Sequence, residues 1–269
     1  MRSSLAILLL SGAIAGGTVS AGGAVSADRA CPAGPAFLHA PGDTTGSLRL
    51  SLNVPAYRLD VVVDGEIERS WPVAVGTPDH RTPIGSFSID HVVWNPWWVP
   101  PPFEWAADAS VTPPGPTNPV GRVKLFFGFY HFVHGTPMEE SLGTAGSHGC
   151  VRMRNADAVE LARIVHRHAS PGVTEATLDS LEADPGRTRT IRLAEAVPMS
   201  IRYDRIEVRD GRLEIHPDVY GLVEIAPEDV RKALRAAGIA AGKADDDLLR
   251  WWIDRAARQE VSIPLGPLL

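Results

Sequence analysis

Tyr130-His131-Phe132-Val133-His134-Gly135-Thr136, ten further residues, then Ser147-His148-Gly149-Cys150-Val151-Arg152-Met153: the reading of this chain turns on this stretch. The first block reads as a strand running out at His134. The second leads into a helical pattern, so Cys150 falls just before a helix, sixteen positions after His134. Strand ends and the loops beyond them commonly present reactive groups. A thiol with an ordinary pKa of ~8.5 is only a few per cent ionised near neutrality, yet its thiolate attacks carbonyl carbon well. An imidazole of pKa ~6.5 is the natural group to take its proton. Gly135 is expected to let the backbone turn beside His134, and Gly146 and Gly149 to let the chain wrap closely around Cys150. The backbone N–H groups near Gly149 and Cys150 are expected oxyanion donors, each worth a factor of about 100 to 1,000 in rate. His148 is a third candidate for the same site. The pattern points to cysteine-based acyl transfer.

Strand signals dominate the flanking sequence. Leu48 to Val54 alternates apolar and polar residues. Leu59 to Val63 meets Glu66 to Val75 across Asp64-Gly65, a hairpin signal because both turn residues must accept positive φ. Ile84 to Ile89 reads as another strand, and Val123 to Phe127 pairs with Tyr130 to His134 around Gly128. The tract from Trp94 to Pro116, with Trp97-Trp98-Val99-Pro100-Pro101-Pro102, is too rich in proline for a central strand and reads as a long aromatic loop. After Cys150 comes the first helix, with Asn155 as its expected cap and Ala158, Leu161, Ala162 and Val165 on one face. His166 and His168, at its end, are expected on the surface. A short helix over Thr174 to Leu181, strands over Thr188 to Leu193 and Val197 to Val208, and a second hairpin at Asp210-Gly211 follow. Helices over Pro227 to Ala237 and Asp246 to Arg258 close the chain, the latter with an apolar stripe of Leu249, Trp252, Ile253 and Ala256 expected to be core. The fold class is mainly β: a catalytic domain over 48–195, with one main helix after the cysteine, and a small α+β extension over 196–269.

Residues 1–27 read as a secretion signal, with Arg2, an apolar run from Leu5 to Leu10, and small residues at Val25-Ser26-Ala27; Val19-Ser20-Ala21 is the second cleavage choice. Residues 28–47 form a Pro/Gly/Ala-rich leader carrying Cys31, which could pair with Cys150 on counting alone. Loss of the signal removes Arg2 and no acidic residue, taking the formal net charge from −6 to −7. That balance argues against nucleic acid as a partner. No later segment is apolar enough for a transmembrane anchor. The expected location is the periplasm or cell envelope.

The motifs together resemble the L,D-transpeptidases, the YkuD-domain enzymes of bacterial cell walls. Besides the two blocks quoted first, Arg81-Thr82-Pro83-Ile84-Gly85-Ser86-Phe87 and Asn118-Pro119-Val120-Gly121 look like segments of that family. Val197 to Tyr203 and Asp218-Val219-Tyr220-Gly221 are similar to the tail of its ErfK/YbiS branch. The resemblance covers residues ~48 to ~223 and implies a β-sandwich-like catalytic domain. It makes Cys150 the nucleophile, His134 the base, and the Gly135 carbonyl the group that orients that base, with His148 lining the site. Arg152, Ser147, Thr136, Gly149 and Trp97 become expected substrate contacts, Arg152 toward a carboxylate. The implied partner is the peptidoglycan stem peptide: a tetrapeptide stem acylates the cysteine, D-alanine leaves, and an amine of another stem accepts, giving a 3→3 cross-link. An envelope protein is a further possible acceptor. Arg152, where many members carry Asn, points to the ErfK/YbiS branch.

Three alternatives remain open at this stage. Water in place of the amine would make a murein L,D-carboxypeptidase or hydrolase. A silent wall-binding protein would keep the fold without turnover. His131, His134, His148 and Cys150 have zinc-ligand chemistry, but their spacing matches no zinc signature, so no metal and no cofactor is expected. His131, three residues before His134, would face away from it on a regular strand and is expected to be structural.

Overall fold

The computed structural model describes residues 47–240 and 245–266. The expected signal peptide, the leader up to residue 46 and Cys31 lie outside the described residues.

The alternation read from the first half builds strands β1 (Leu48–Asn53), β2 (Arg58–Val63), β3 (Glu66–Pro72), β4 (Val75–Gly76) and β5 (Gly85–Trp94). Then come β6 (Val123–Phe126), β7 (Phe132–Thr136), β8 (Ala145–Ser147) and β9 (Val151–Arg154). Helices α1 (Asn155–Ala169) and α2 (Glu175–Ala183) precede β10 (Arg189–Arg202), β11 (Ile206–Arg209) and β12 (Arg212–Ile215). Helices α3 (Pro227–Ala236) and α4 (Asp246–Ala256) and strand β13 (Val261–Pro264) end the described chain. Eight strands make one mixed sheet in the order β3-β2-β1-β10-β5-β6-β7-β9. The fold is mainly β, as the sequence implies. Both Asp-Gly turns adopt the left-handed geometry that hairpins demand, with φ of 52° and 88° at Asp64 and Gly65 and 49° and 70° at Asp210 and Gly211.

The site rests on the far end of this sheet. Val92, Leu125, Val133 and Val151, one from each of β5, β6, β7 and β9, align across the strands and are fully buried. They share a core with Ala158, Leu161, Ala162 and Val165 of α1. Burying each such side chain contributes roughly 1.5–3 kcal/mol, which fixes the register, because a one-residue slip would turn all four outward. The opposite face of the same strands carries Phe126, Lys124, Phe132, His134 and Arg152, with Cys150 immediately ahead of β9.

Several expectations need correction. Trp94 does not open the loop; it ends β5, fully buried, and its Nε1–H donates to His166 Nε2 at 3.1 Å. His166 is therefore not a surface residue. It is fully buried, its Nδ1 lies 3.1 Å from Ser170 Oγ, and burial lowers its pKa to about 4; His168 is exposed as expected. Asn155 does not cap α1 with its side chain: Oδ1 accepts from the Arg122 N–H at 3.0 Å, while Nδ2 donates to the Thr136 carbonyl at 3.2 Å. The two strands expected over 188–193 and 197–208 are one strand, β10, whose pairing with β5 shifts register between Arg192 and Val197, followed by a separate β11. The boundary placed at 195/196 thus falls inside a central strand of the main sheet. A second apolar cluster does exist, built by Leu213, Ile215, Val230, Leu234, Leu249 and Trp252, but its strands begin at Ile206. The stripe on α4 lies in it, as core. Strands β8, β9 and β13 are too short or too close to glycine for the periodicity to reveal them.

The second cluster joins the main sheet through charge. Arg58 on β2 meets Glu207 at 2.5 Å and Glu214 at 3.2 Å, and Arg209 meets Asp60 at 2.9 Å. His216 is fully buried beside them, with Nε2 3.2 Å from Glu207. Glu207, Glu214 and His216 have metal-ligand chemistry, but the Arg58 guanidinium already fills the space between the two carboxylates.

Candidate active site

Parallel pairing of β7 with β9 aligns Val133 with Val151 and His134 with Arg152. Cys150 then adjoins Phe132, on the same sheet face as His134 and offset from it by one diagonal step. Such diagonal neighbours are roughly 7–8 Å apart at the backbone, within reach of large side chains. The sheet therefore brings together the two residues the sequence separates by sixteen positions.

His134 is nearly fully buried. Its Nδ1 sits 2.7 Å from the Gly135 carbonyl, and a carbonyl can only accept, so Nδ1 carries the proton and Nε2 keeps its lone pair. A backbone carbonyl thus orients the ring. Burial is the main reason its pKa falls to about 3; the Gly135 bond opposes this, and the Arg152 and Lys124 cations add to it. Cys150 is half-buried, and its thiol lies 3.5 Å from the Tyr130 carbonyl. Burial pushes that thiol up to about 11, against a hydrogen bond from the Phe132 backbone and the charges of Arg152 and Lys124, which favour the thiolate. Both groups are consequently neutral at rest.

The loop carrying the thiol is tied at Ser147, Gly149 and Cys150. Ser147 is buried; its hydroxyl donates to the Cys150 carbonyl at 2.5 Å and accepts from the Gly149 N–H at 3.1 Å. The Gly149 N–H is thereby occupied and drops out as an oxyanion donor, leaving the Cys150 N–H of the original pair. Ser147 and Thr136 are fully or almost fully buried; Thr136 Oγ1 accepts from the Met138 N–H at 3.1 Å. Their hydroxyls hold loops and do not face an open cleft. Gly149 has φ of +100°, and a Cβ there would come within 3.0 Å of His131 Nε2. Gly135 is required for a reason the sequence reading did not give: its φ is not left-handed, but a Cβ would stand 2.2 Å from Asn155 Oδ1.

The remaining candidates separate. His148 does not pair with the thiol; it is exposed, stacked on Trp105 at 3.9 Å between ring centroids and edge-on to His80 at 4.8 Å. Trp97 is half-exposed, and the aromatic loop meets the site through other rings, Trp105 on His148 and Phe103 edge-on to Tyr130 at 5.1 Å. That loop is pinned at both ends by buried asparagines. Asn95 donates to the carbonyls of Leu181, Asp184 and Arg187, and Asn118 to those of Pro96 and Pro113. His131 precedes the first residue of β7, so strand alternation does not govern it, and its ring packs beside Gly149, the residue before Cys150. Arg152 and Lys124 flank His134 on the neighbouring strands, and among the described residues neither is ion-paired with a carboxylate. Lys124 instead lies over the rings of Phe126 and Phe132, at 5.2 and 5.0 Å. Nothing in the local sequence marked Lys124, because only pairing across β6 and β7 sets it beside His134.

The mixed sheet presents a thiol, an imidazole and two cations on one face. The chain belongs to the YkuD family, the L,D-transpeptidase catalytic domain, which it matches over residues 49–189. It is 32% identical over 120 residues to Bacillus subtilis YqjB, named an L,D-transpeptidase, covering 42% of this chain and 64% of that one. It is 34% identical over 94 residues to Escherichia coli YbiS, also named an L,D-transpeptidase, covering 32% of this chain and 31% of that one. The chain thus spans less than two thirds of the length of these relatives. An L,D-transpeptidase structure from Mycobacterium smegmatis superposes with a TM-score of 0.39 at 16% identity, over 58% of this chain and 59% of that one.

Proposed function

We propose that this chain is an exported L,D-transpeptidase acting on peptidoglycan stem peptides in the periplasm or cell envelope. Cys150 is the nucleophile, His134 the base, and Arg152 a contact for a stem carboxylate; residues 48–195 hold this chemistry. The observation that carries the reading is the His134 ring, fixed by the Gly135 carbonyl with Nε2 unprotonated, on the same sheet face as Cys150. In the first half-reaction the sulfur bonds to the carbonyl carbon of the donor residue while its proton passes to His134 Nε2. The C–N bond to D-alanine then breaks, and the leaving amine takes that proton. In the second, an acceptor amine attacks the thioester, yields a proton to His134, and the sulfur leaves and is reprotonated. The Cys150 N–H stabilises the oxyanion of each tetrahedral intermediate.

The test is incubation with purified tetrapeptide muropeptides and separation of the products. Cross-linked dimers with release of D-alanine are expected, and none from Cys150→Ala. Tripeptides alone would replace transfer by hydrolysis. Binding to sacculi without consumption of muropeptide would end the enzymatic reading.

A further inference from the structure

The peptide between Gly149 and Cys150 is held by Thr82, and Thr82 in turn by Tyr220, a residue outside the family match. The Thr82 hydroxyl donates to the Gly149 carbonyl at 3.1 Å and accepts from the Gly76 N–H at 2.9 Å. The Tyr220 hydroxyl accepts from the Thr82 N–H at 3.0 Å and donates to the Gly76 carbonyl at 3.0 Å. Tyr220 and Thr82 are almost fully buried. Gly76 closes the ring because a Cβ there would lie 2.0 Å from the His80 carbonyl oxygen. The Thr77 N–H holds the Ser147 carbonyl at 3.0 Å, so the loop over 76–82 grips the thiol loop at two points. Tyr220 is itself placed from the C-terminal side: its backbone N–H donates to Tyr203 Oη at 2.6 Å, and Tyr203 Oη donates to Asp218 at 2.6 Å.

A trans peptide is planar, so its C=O and N–H point in opposite directions. Fixing the Gly149 carbonyl toward Thr82 therefore aims the Cys150 N–H away from Thr82. Gly149 cannot substitute for that donor, because its own N–H is spent on Ser147. We propose that Tyr220, acting through Thr82, is a positioning residue that aims the Cys150 N–H at the oxyanion, so that the catalytic unit extends beyond residue 189, where the family match ends. The proposal rests on the acyl-transfer reading and adds to it a part that the matched domain lacks.

The discriminating experiment compares two reactions of the same sulfur. Acylation by a carbapenem builds an oxyanion and needs the donor; alkylation by iodoacetamide builds none and needs only the thiolate. Thr82→Val is expected to slow acylation about 10- to 100-fold while alkylation stays within about twofold. Tyr220→Phe should show the same split at about 3- to 10-fold, and Thr82→Ser, which keeps the hydroxyl, should restore acylation. Melting temperatures and the Cys150 amide resonance are recorded for each variant. Equal losses in both reactions, or acylation unchanged in Thr82→Val, would overturn the proposal. If the wild-type thiol alkylates normally but no carbapenem acylates it, the acyl-transfer reading fails instead. The relay is then judged by the Cys150 amide resonance: a shift in Thr82→Val and Tyr220→Phe but not in Thr82→Ser supports it, and an unmoved resonance refutes it.

Discussion

The two faces of strands β5, β6, β7 and β9 are built from alternate residues of the same segments, yet they do opposite work. One face, Val92, Leu125, Val133 and Val151, is uniformly aliphatic, fully buried and packed with α1. The other carries Lys124, Phe126, Phe132, His134 and Arg152 beside Cys150, with half-buried charges and rings that meet one another across the neighbouring strands. The aliphatic face supplies the stability that lets the second face hold, next to a buried imidazole, two cations with no carboxylate partner among the described residues, an arrangement that costs folding energy through desolvation. The candidate site lies one residue along each strand from the aliphatic core.

Substitutions on the two faces should therefore separate activity from stability. Cys150→Ala should lower product formation by about four orders of magnitude or more with little change in unfolding midpoint; a measured drop in that midpoint would mean the thiol also packs the fold. Leu125→Ala, on the other face, should cost about 2–5 kcal/mol in urea unfolding, while the protein that remains folded turns over near the wild-type rate. Gly135→Ala pushes a methyl into Asn155 and should cost about 1–3 kcal/mol, part of which Asn155→Gly restores. A double-mutant cycle without coupling would break that account.

Smaller effects follow from charge. Because burial holds the thiol near 11, iodoacetamide alkylation of Cys150 should keep rising about tenfold per pH unit through pH 9; a plateau near 8.5, the ordinary thiol value, would mean the sulfur is not desolvated. Because His134 stays neutral down to about 3, turnover should not fall on acidification through pH 6.5. The smallest effect concerns the second cluster. Burial alone would lower the His216 pKa, but Glu207 and Glu260 together raise it. Its contribution to stability is complete below the unfolded value near 6.5 and is lost as pH rises through the raised value. Glu207, held down to about 2, contributes above its ordinary 4.5 and is lost as pH falls toward 2. The unfolding midpoint should therefore decline between pH 6 and 8 in the wild type and decline less in His216→Gln, as followed by thermal denaturation.

The sequence by itself determined the mainly β class, both Asp-Gly hairpins and the main helix, and it marked Cys150 and a strand histidine as a candidate pair. Each is a local signal: alternation, a turn dipeptide, a helical period, or a glycine-framed motif. Alternation does not reach His131, which precedes β7, and the helical pattern did not say that His166 at its end would meet Trp94 from β5. Only the tertiary structure set Lys124 beside His134, brought Trp105 to His148 in place of Trp97, took the Gly149 N–H out of the oxyanion site, and carried Tyr220 back to Thr82. The reason is physical. A strand's own residues fix which face a side chain takes, but its neighbours depend on sheet order and register, which are settled by burying side chains far apart along the chain.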